Sequence, residues 1–214
     1  YWNKVLDHIE PGDYYLGCMI DAGDDVDETD ENNNTLFARS PVIHIPSGSN
    51  DIICRTLALT QGWNMFSLTL VPDDAAISSL MAPIADSIII VKTDDGRNYI
   101  PSYGIDDIGE IDFTRGYKIC VSDSLFLRVC GSAVDALTKV ELPVGWSMVS
   151  YLPAFPLDAA DALRSIEGVL VLAKDNQGKA YIPAYGINDL GQMQPGQGYQ
   201  LYLESKATLV YPAQ

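Results

Sequence analysis

Histidine is almost missing from this chain: of 214 residues only His8 and His44 are histidines, without the spacing of metal ligands. No Gly-x-Ser-x-Gly elbow, Walker loop or Cys-x-x-Cys pair occurs, so the usual nucleophilic, phosphate-cradling and dithiol chemistries have no motif. Only a carboxylate pair assembled in space would escape such a search. No enzyme activity is expected. Basic residues are scarce too, 13 against 29 acids, for a net charge of −16. That field repels phosphate and argues against nucleic acid or an anionic membrane surface as partner. The longest apolar runs, 87–91 and 169–173, fall far short of the roughly 20 residues of a membrane span, so no membrane insertion is expected. The opening Tyr-Trp-Asn-Lys carries no basic or apolar leader pattern. At 47% hydrophobic residues the chain is nevertheless too apolar for disorder.

What the chain does contain is a repeat. Leu59-Thr-Gln-Gly-Trp-Asn-Met-Phe-Ser67 returns as Leu142-Pro-Val-Gly-Trp-Ser-Met-Val-Ser150. Tyr99-Ile-Pro-Ser-Tyr-Gly-Ile-Asp-Asp-Ile-Gly109 returns as Tyr181-Ile-Pro-Ala-Tyr-Gly-Ile-Asn-Asp-Leu-Gly191, and Gly116-Tyr117 returns as Gly198-Tyr199. Order and spacing agree to one residue, which marks tandem modules. The small, polar stretch 46–51 reads as a connector. The expected organisation is therefore a first segment 1–46, a linker 47–56, and modules 57–138 and 139–214.

Each module reads as mostly β with one short amphipathic helix, over 73–85 and 157–166, followed by a buried strand, a turn, a Tyr-Ile-Pro strand and a closing hairpin. At about 80 residues a module has a small core, so the two are expected to pack together. Residues 11–45 read as β: a strand over 14–20, a turn, a second strand from Val26 and a last one over 41–45.

Four groups of residues are candidates for function. Asp21, Asp24, Asp25, Asp27 and Glu28 offer hard oxygen ligands for Ca²⁺, though EF-hand spacing is absent; the alternative is a solvated acidic turn. Trp63 and Trp146 are either core residues or an aromatic platform for sugars, and their recurrence favours the core. Tyr99, Tyr103, Tyr181 and Tyr185 are either the rim of a binding groove or the packing of a rigid Pro-Gly loop, in which Asp107 and Asp189 would bond the backbone turn. Gly116 and Gly198 are structural. Among four cysteines, a hairpin turning near Ser122-Asp-Ser124 would put Cys130 about 13 Å from the point opposite Cys120. Cys54 and Cys130, at the two ends of the first module where first and last strands can meet, are the expected bridge.

Two resemblances complete the reading. Gly12-Asp-Tyr-Tyr-Leu-Gly17, Asp21 and Glu28-Thr-Asp-Glu-Asn-Asn-Asn34 resemble the last three strands of a CARDB domain, an Ig-like β-sandwich of secreted and surface proteins. Gly62-Trp-Asn-Met65 and Pro195-Gly-Gln-Gly-Tyr199 resemble the Gly-Trp-Asn modules of large secreted bacterial proteins; Phe113-Thr-Arg-Gly-Tyr117 departs from the second signature. The resemblances imply a mainly β chain, with a partial Ig-like β-sandwich segment followed by two tandem small β-rich modules. They also imply a non-catalytic extracellular structural or adhesive part of a secreted or cell-surface protein or fibre. Its partners would be neighbouring domains or subunits. The alternative is a polysaccharide-binding module using the tyrosine-rich loops.

Overall fold

The computed structural model describes residues 12–14, 17–19, 35–37, 43–45, 52–135 and 138–212. The chain is mainly β, 48% strand against 17% helix, and divides into two units, Tyr1–Asn50 and Asp51–Gln214. In the first unit β1 (Gly12–Tyr14) pairs antiparallel with β4 (Ile43–Ile45), and β2 (Gly17–Met19) pairs with β3 (Thr35–Phe37). The acidic residues Asp21, Asp24, Asp25, Asp27 and Glu28, and the strand expected from Val26, lie outside the described residues.

The second unit holds both modules. The first comprises β5 (Ile53–Leu59), β6 (Gly62–Phe66), β7 (Leu70–Pro72), α1 (Ile77–Met81), β8 (Ile88–Lys92), β9 (Asn98–Ile100), β10 (Ile105–Asp106), β11 (Tyr117–Val121) and β12 (Leu125–Ala133). The second comprises β13 (Lys139–Leu142), β14 (Gly145–Ser150), β15 (Leu157–Asp158), α2 (Ala159–Ala162), β16 (Leu170–Lys174), β17 (Ala180–Ile182), β18 (Ile187–Asn188), β19 (Gln192–Met193), β20 (Gly198–Leu203) and β21 (Ala207–Val210). The five-stranded sheet β6-β11-β8-β9-β10 recurs position for position as β14-β20-β16-β17-β18, and the pair β5-β12 recurs as β13-β21. Each helix is a single turn continued as a 3₁₀ segment, Ala82–Ser87 or Arg164–Val169. In the first module Pro83 opens that segment, where its missing N–H costs nothing.

Two expectations are corrected. Residues 53–56 belong to β5 and not to a linker; they pair with β12 from Ile53 opposite Gly131 onward. The closing hairpin is not a paired one. After the 122–124 turn the chain leaves the five-stranded sheet, so β11 pairs with β6 and β8 while β12 pairs with β5 and β7. The reason is room: both edges of β11 are already occupied, and the chain can only continue on a second sheet across the core. Cys54 and Cys130 then lie directly opposite one another on β5 and β12 and are joined by a disulfide, while Cys120 is free.

The two modules pack together, as their small cores led one to expect. The modules interlock about a pseudo-two-fold axis, with isolated bridges Phe66–Gln197 and Val149–Arg115, which are the same two positions with the modules exchanged. Ser67 N–H donates to the Gly196 carbonyl (3.0 Å), and Ser150 N–H donates to the Thr114 carbonyl (3.1 Å). Both serines are fully buried, and their hydroxyls donate across the seam to the carbonyls of Gln197 and Leu68. Phe113 packs against the hydrophobic cores of both modules. The motif glycines make this approach feasible. A Cβ on Gly116 would stand 2.7 Å from the Val149 carbonyl oxygen, and one on Gly198 would stand 2.7 Å from that of Phe66.

The two cores differ in one respect with a measurable consequence. In the second module Tyr151, Tyr199 and Tyr211 pack edge to face, with centroids 6.2 and 5.4 Å apart, and are essentially buried. Burial raises all three phenols, Tyr199 to about 12 and Tyr211 well above the usual value. A phenol raised in the folded state keeps its proton after the unfolded chain has lost it. Its contribution to stability is therefore whole below about pH 10 and lost as pH rises toward 12 and beyond. Urea midpoints should hold between about pH 7 and 9 and fall steeply above about pH 10, with Tyr211→Phe flattening that fall.

Candidate functional site

Strand alternation decides which side chains face outward. In β6 and β11 the core is entered by Phe66 and Tyr117, whose rings stack at 5.6 Å. With the period of two fixed by Phe66, Asn64 also points inward, and Trp63 and Met65 point outward. Met65 is covered at the seam, but Trp63 lies beyond it and remains 48% exposed, as does Trp146. The expectation that both tryptophans are buried is thus wrong. Nearly every residue of Gly-Trp-Asn-Met-Phe-Ser after the tryptophan is buried by one of two bodies, its own core or the other module, so the segment does not alternate on paper. Gly62 and Gly145, which precede the tryptophans, turn the chain at φ +91° and +93°, where a side chain would be strained.

Each outer face carries an apolar row across its sheet. In the first module Trp63, Cys120 and Ile90 sit side by side on β6, β11 and β8, and Ile100 faces Ile105 on the last two strands. In the second, Trp146, Tyr202 and Leu172 take the same places, with Ile182 facing Ile187. Trp146 lies 5.2 Å from the Tyr202 ring, and the Lys174 ammonium sits 4.7 Å from its centroid, a cation–π contact. Beside the first row Lys118 and Lys92 stand directly opposite one another.

The tyrosine set is divided. Tyr99 and Tyr181 are buried on the inner face, whereas Tyr103 and Tyr185 are 80% and 78% exposed on the 3₁₀ turns that follow. The four do not form one groove rim. Nor do Asp107 and Asp189 hold the turn: the neighbouring side chains do, Asp106 accepting Gly109 N–H at 2.8 Å and Asn188 accepting Gly191 N–H at 2.9 Å. Either acceptor type serves here, which is why Asp and Asn alternate between copies.

Two equivalent open clefts lie at the junction of the modules, missed by the sequence reading. One, of about 380 Å³, lies between β5 and β6 and is bordered by residues 175–177 of the other module. The other, of about 310 Å³, lies between β13 and β14 and is bordered by Asp94 and Arg115. Arg115 is held by Asp94 and Asp95, both at 3.0 Å, and Asp94 also accepts Met148 N–H at 2.9 Å. Asp95 is kept well below the usual carboxylate range, first by the Thr93 hydroxyl and then by Arg97. Among the described residues no three His, Cys, Asp or Glu side chains gather as a metal centre.

No family model matches the chain, and no curated protein or solved structure matches it either.

Proposed function

We propose that the chain is a non-catalytic structural and adhesive module of a secreted or cell-surface protein or fibre. In this reading the two repeats act as one rigid block and the outward tryptophan faces are its contact surface. The observation that carries it is the half-exposure of Trp63 and Trp146 at the same place in both modules. A core tryptophan would be inside, and the burial of a large aromatic against a partner is what gives contact surfaces most of their energy. The disulfide suits an oxidising compartment, which supports a location outside the cell. The CARDB-like and Gly-Trp-Asn-like motifs agree with it.

A second reading, carbohydrate binding, is favoured by the half-exposed rings of Trp63 and Trp146, since a flat aromatic ring suits the apolar face of a sugar; Tyr103 and Tyr185 are the loop tyrosines available to it. Adhesion to an immobilised copy of the chain and to insoluble polysaccharide, measured side by side, tests both. The first reading expects capture by the chain itself, the second by the polysaccharide. Either capture should be lost in W63A/W146A, a variant that costs only about 1–2 kcal/mol per site because the rings are half in water. Capture undiminished in that variant would remove the tryptophan faces from both readings.

A further inference from the structure

The two modules finish their second sheets differently. β5 is an outer strand in the order β5-β12-β7, so one of its edges has no strand beside it. Which backbone groups lie on that edge follows from the register. Cys54 and Cys130 stand opposite one another with Cα atoms 4.0 Å apart, the narrow spacing of a pair that exchanges no backbone hydrogen bonds. The ladder runs on without a shift, so the pairs Thr56–Arg128 and Ala58–Phe126 are of the same kind. The N–H and C=O of Thr56 and Ala58 therefore point away from β12, into the cleft between β5 and β6 that both residues line. The next residue of this parity shows what they lack. Thr60 N–H donates to Asn64 Oδ1 at 2.9 Å, and Asn64 Nδ2 donates to the Thr60 carbonyl at 2.7 Å, so the carboxamide stands in for one residue of a neighbouring strand. Nothing does this for Thr56 or Ala58 among the described residues.

The second module guards the same edge. Lys139, Glu141 and Pro143 replace Thr56, Ala58 and Thr60: two charges and a residue without an N–H, the devices that keep strands from pairing at an edge. Glu141 is also tied across its ladder to the Thr208 hydroxyl at 3.0 Å. In the first module the corresponding pair is Ala58 and Phe126, a methyl group beside a ring left 74% exposed. Next to it Arg128 stands exposed opposite Thr56, with no carboxylate within ion-pair distance among the described residues. β6 offers no second opening, because the other module holds its outer edge: Asn176 Nδ2 donates to the Trp63 carbonyl at 2.7 Å, and Phe66 bridges to Gln197. An added strand would extend the sheet by pairing with Thr56 and Ala58. Its outward side chains would follow the alternation of the sheet, one over Ala58 against the Phe126 ring and one over Thr56 beside the Arg128 guanidinium. The first place suits an apolar residue and the second a carboxylate.

We propose that the open edge of β5 binds an extended peptide segment of a partner protein by strand addition, an apolar and an acidic side chain on one face of that segment meeting Phe126 and Arg128. The edge belongs to a different sheet from the tryptophans, so this contact and the tryptophan contact can fail separately. The test is an NMR titration of the whole chain with the acetylated and amidated peptide Thr-Thr-Val-Thr-Glu-Thr-Thr. The amide signals of Thr56 and Ala58 should shift saturably below about 5 mM peptide, and their hydrogen exchange should slow. The same peptide with Lys in place of Glu should bind about three- to fivefold more weakly, and Arg128→Glu should reverse that preference. Ala58→Pro removes an N–H that β12 does not use, where an edge strand tolerates proline, so the chain should fold and no longer bind. Should that variant not fold, Ala58→Glu, the second module's own residue at this place, should weaken binding of the acidic peptide in the same assay. No saturable shift, binding undiminished in the folded position-58 variant, or a charge preference untouched by Arg128→Glu would each overturn the proposal. So would self-association of the chain that the position-58 variant removes, since a second copy would then occupy the edge.

Discussion

Removing the disulfide by the paired substitution Cys54→Ser, Cys130→Ser should destabilise the second unit by about 4 kcal/mol. The bond closes a sequence separation of 76 residues, and chain-entropy arguments assign roughly this value to a loop of that length. For a unit of this size each kcal/mol corresponds to about 2–4 °C, so the melting temperature should fall by about 10 °C. Unfolding should remain a single transition, because the seam serines and Phe113 tie each core to the other. The second module does without such a bond: Pro212 stands where Cys130 would recur. The variant should therefore fold. A change in stability below about 1 kcal/mol, or two separated transitions, would contradict the interlocked arrangement.

The second large effect is expected at the seam. Gly116→Ala and Gly198→Ala each place a methyl group 2.7 Å from a carbonyl oxygen of the other module. That oxygen belongs to a strand backbone and cannot rotate away as a side chain would. Overpacking of this kind costs about 1–3 kcal/mol, and these sites should lie at or beyond the upper end. Because the first methyl already pries the seam open, the double variant should cost less than the sum. Gly168→Ala is the control: its added Cβ meets nothing, and stability should hardly move. Denaturant midpoints of the four variants decide the matter.

How much of this was legible in the sequence follows from how many bodies cover each residue. The repeat and the helices were readable because they are local and recur intact: Leu57 to Val129 and Val140 to Tyr211 each close one core with the same strand order. The boundary near residue 50 was readable from composition. The tryptophans were misjudged because recurrence marks a constrained position without saying which side of the sheet it faces. Parity counted from the core pair Phe66–Tyr117 would have placed Trp63 outside. Tyr99 and Tyr103 are four residues apart, yet one lies on a strand's inner face and the other on the 3₁₀ turn after it, so spacing alone could not separate them. Ser67 and Ser150 closed both copies of the motif, and a serine recurring after an apolar strand was the available sign of a buried seam. The cleft between β13 and β14 needed both modules in place, because Asp94 and Arg115 of the first module form part of its wall.

The functional account rests on Trp63 and Trp146 facing solvent from a folded block, and fluorescence quenching of a Trp2→Phe chain tests that most directly. Acrylamide is the suitable quencher, since it is neutral and indifferent to Lys174 beside Trp146. The account predicts that both remaining tryptophans are quenched readily and to a similar extent in the native state, with W63A and W146A each removing about half of the quenchable emission, given their equal 48% exposure. Blue-shifted emission that acrylamide reaches only after urea unfolding would place the indoles in the core and contradict it.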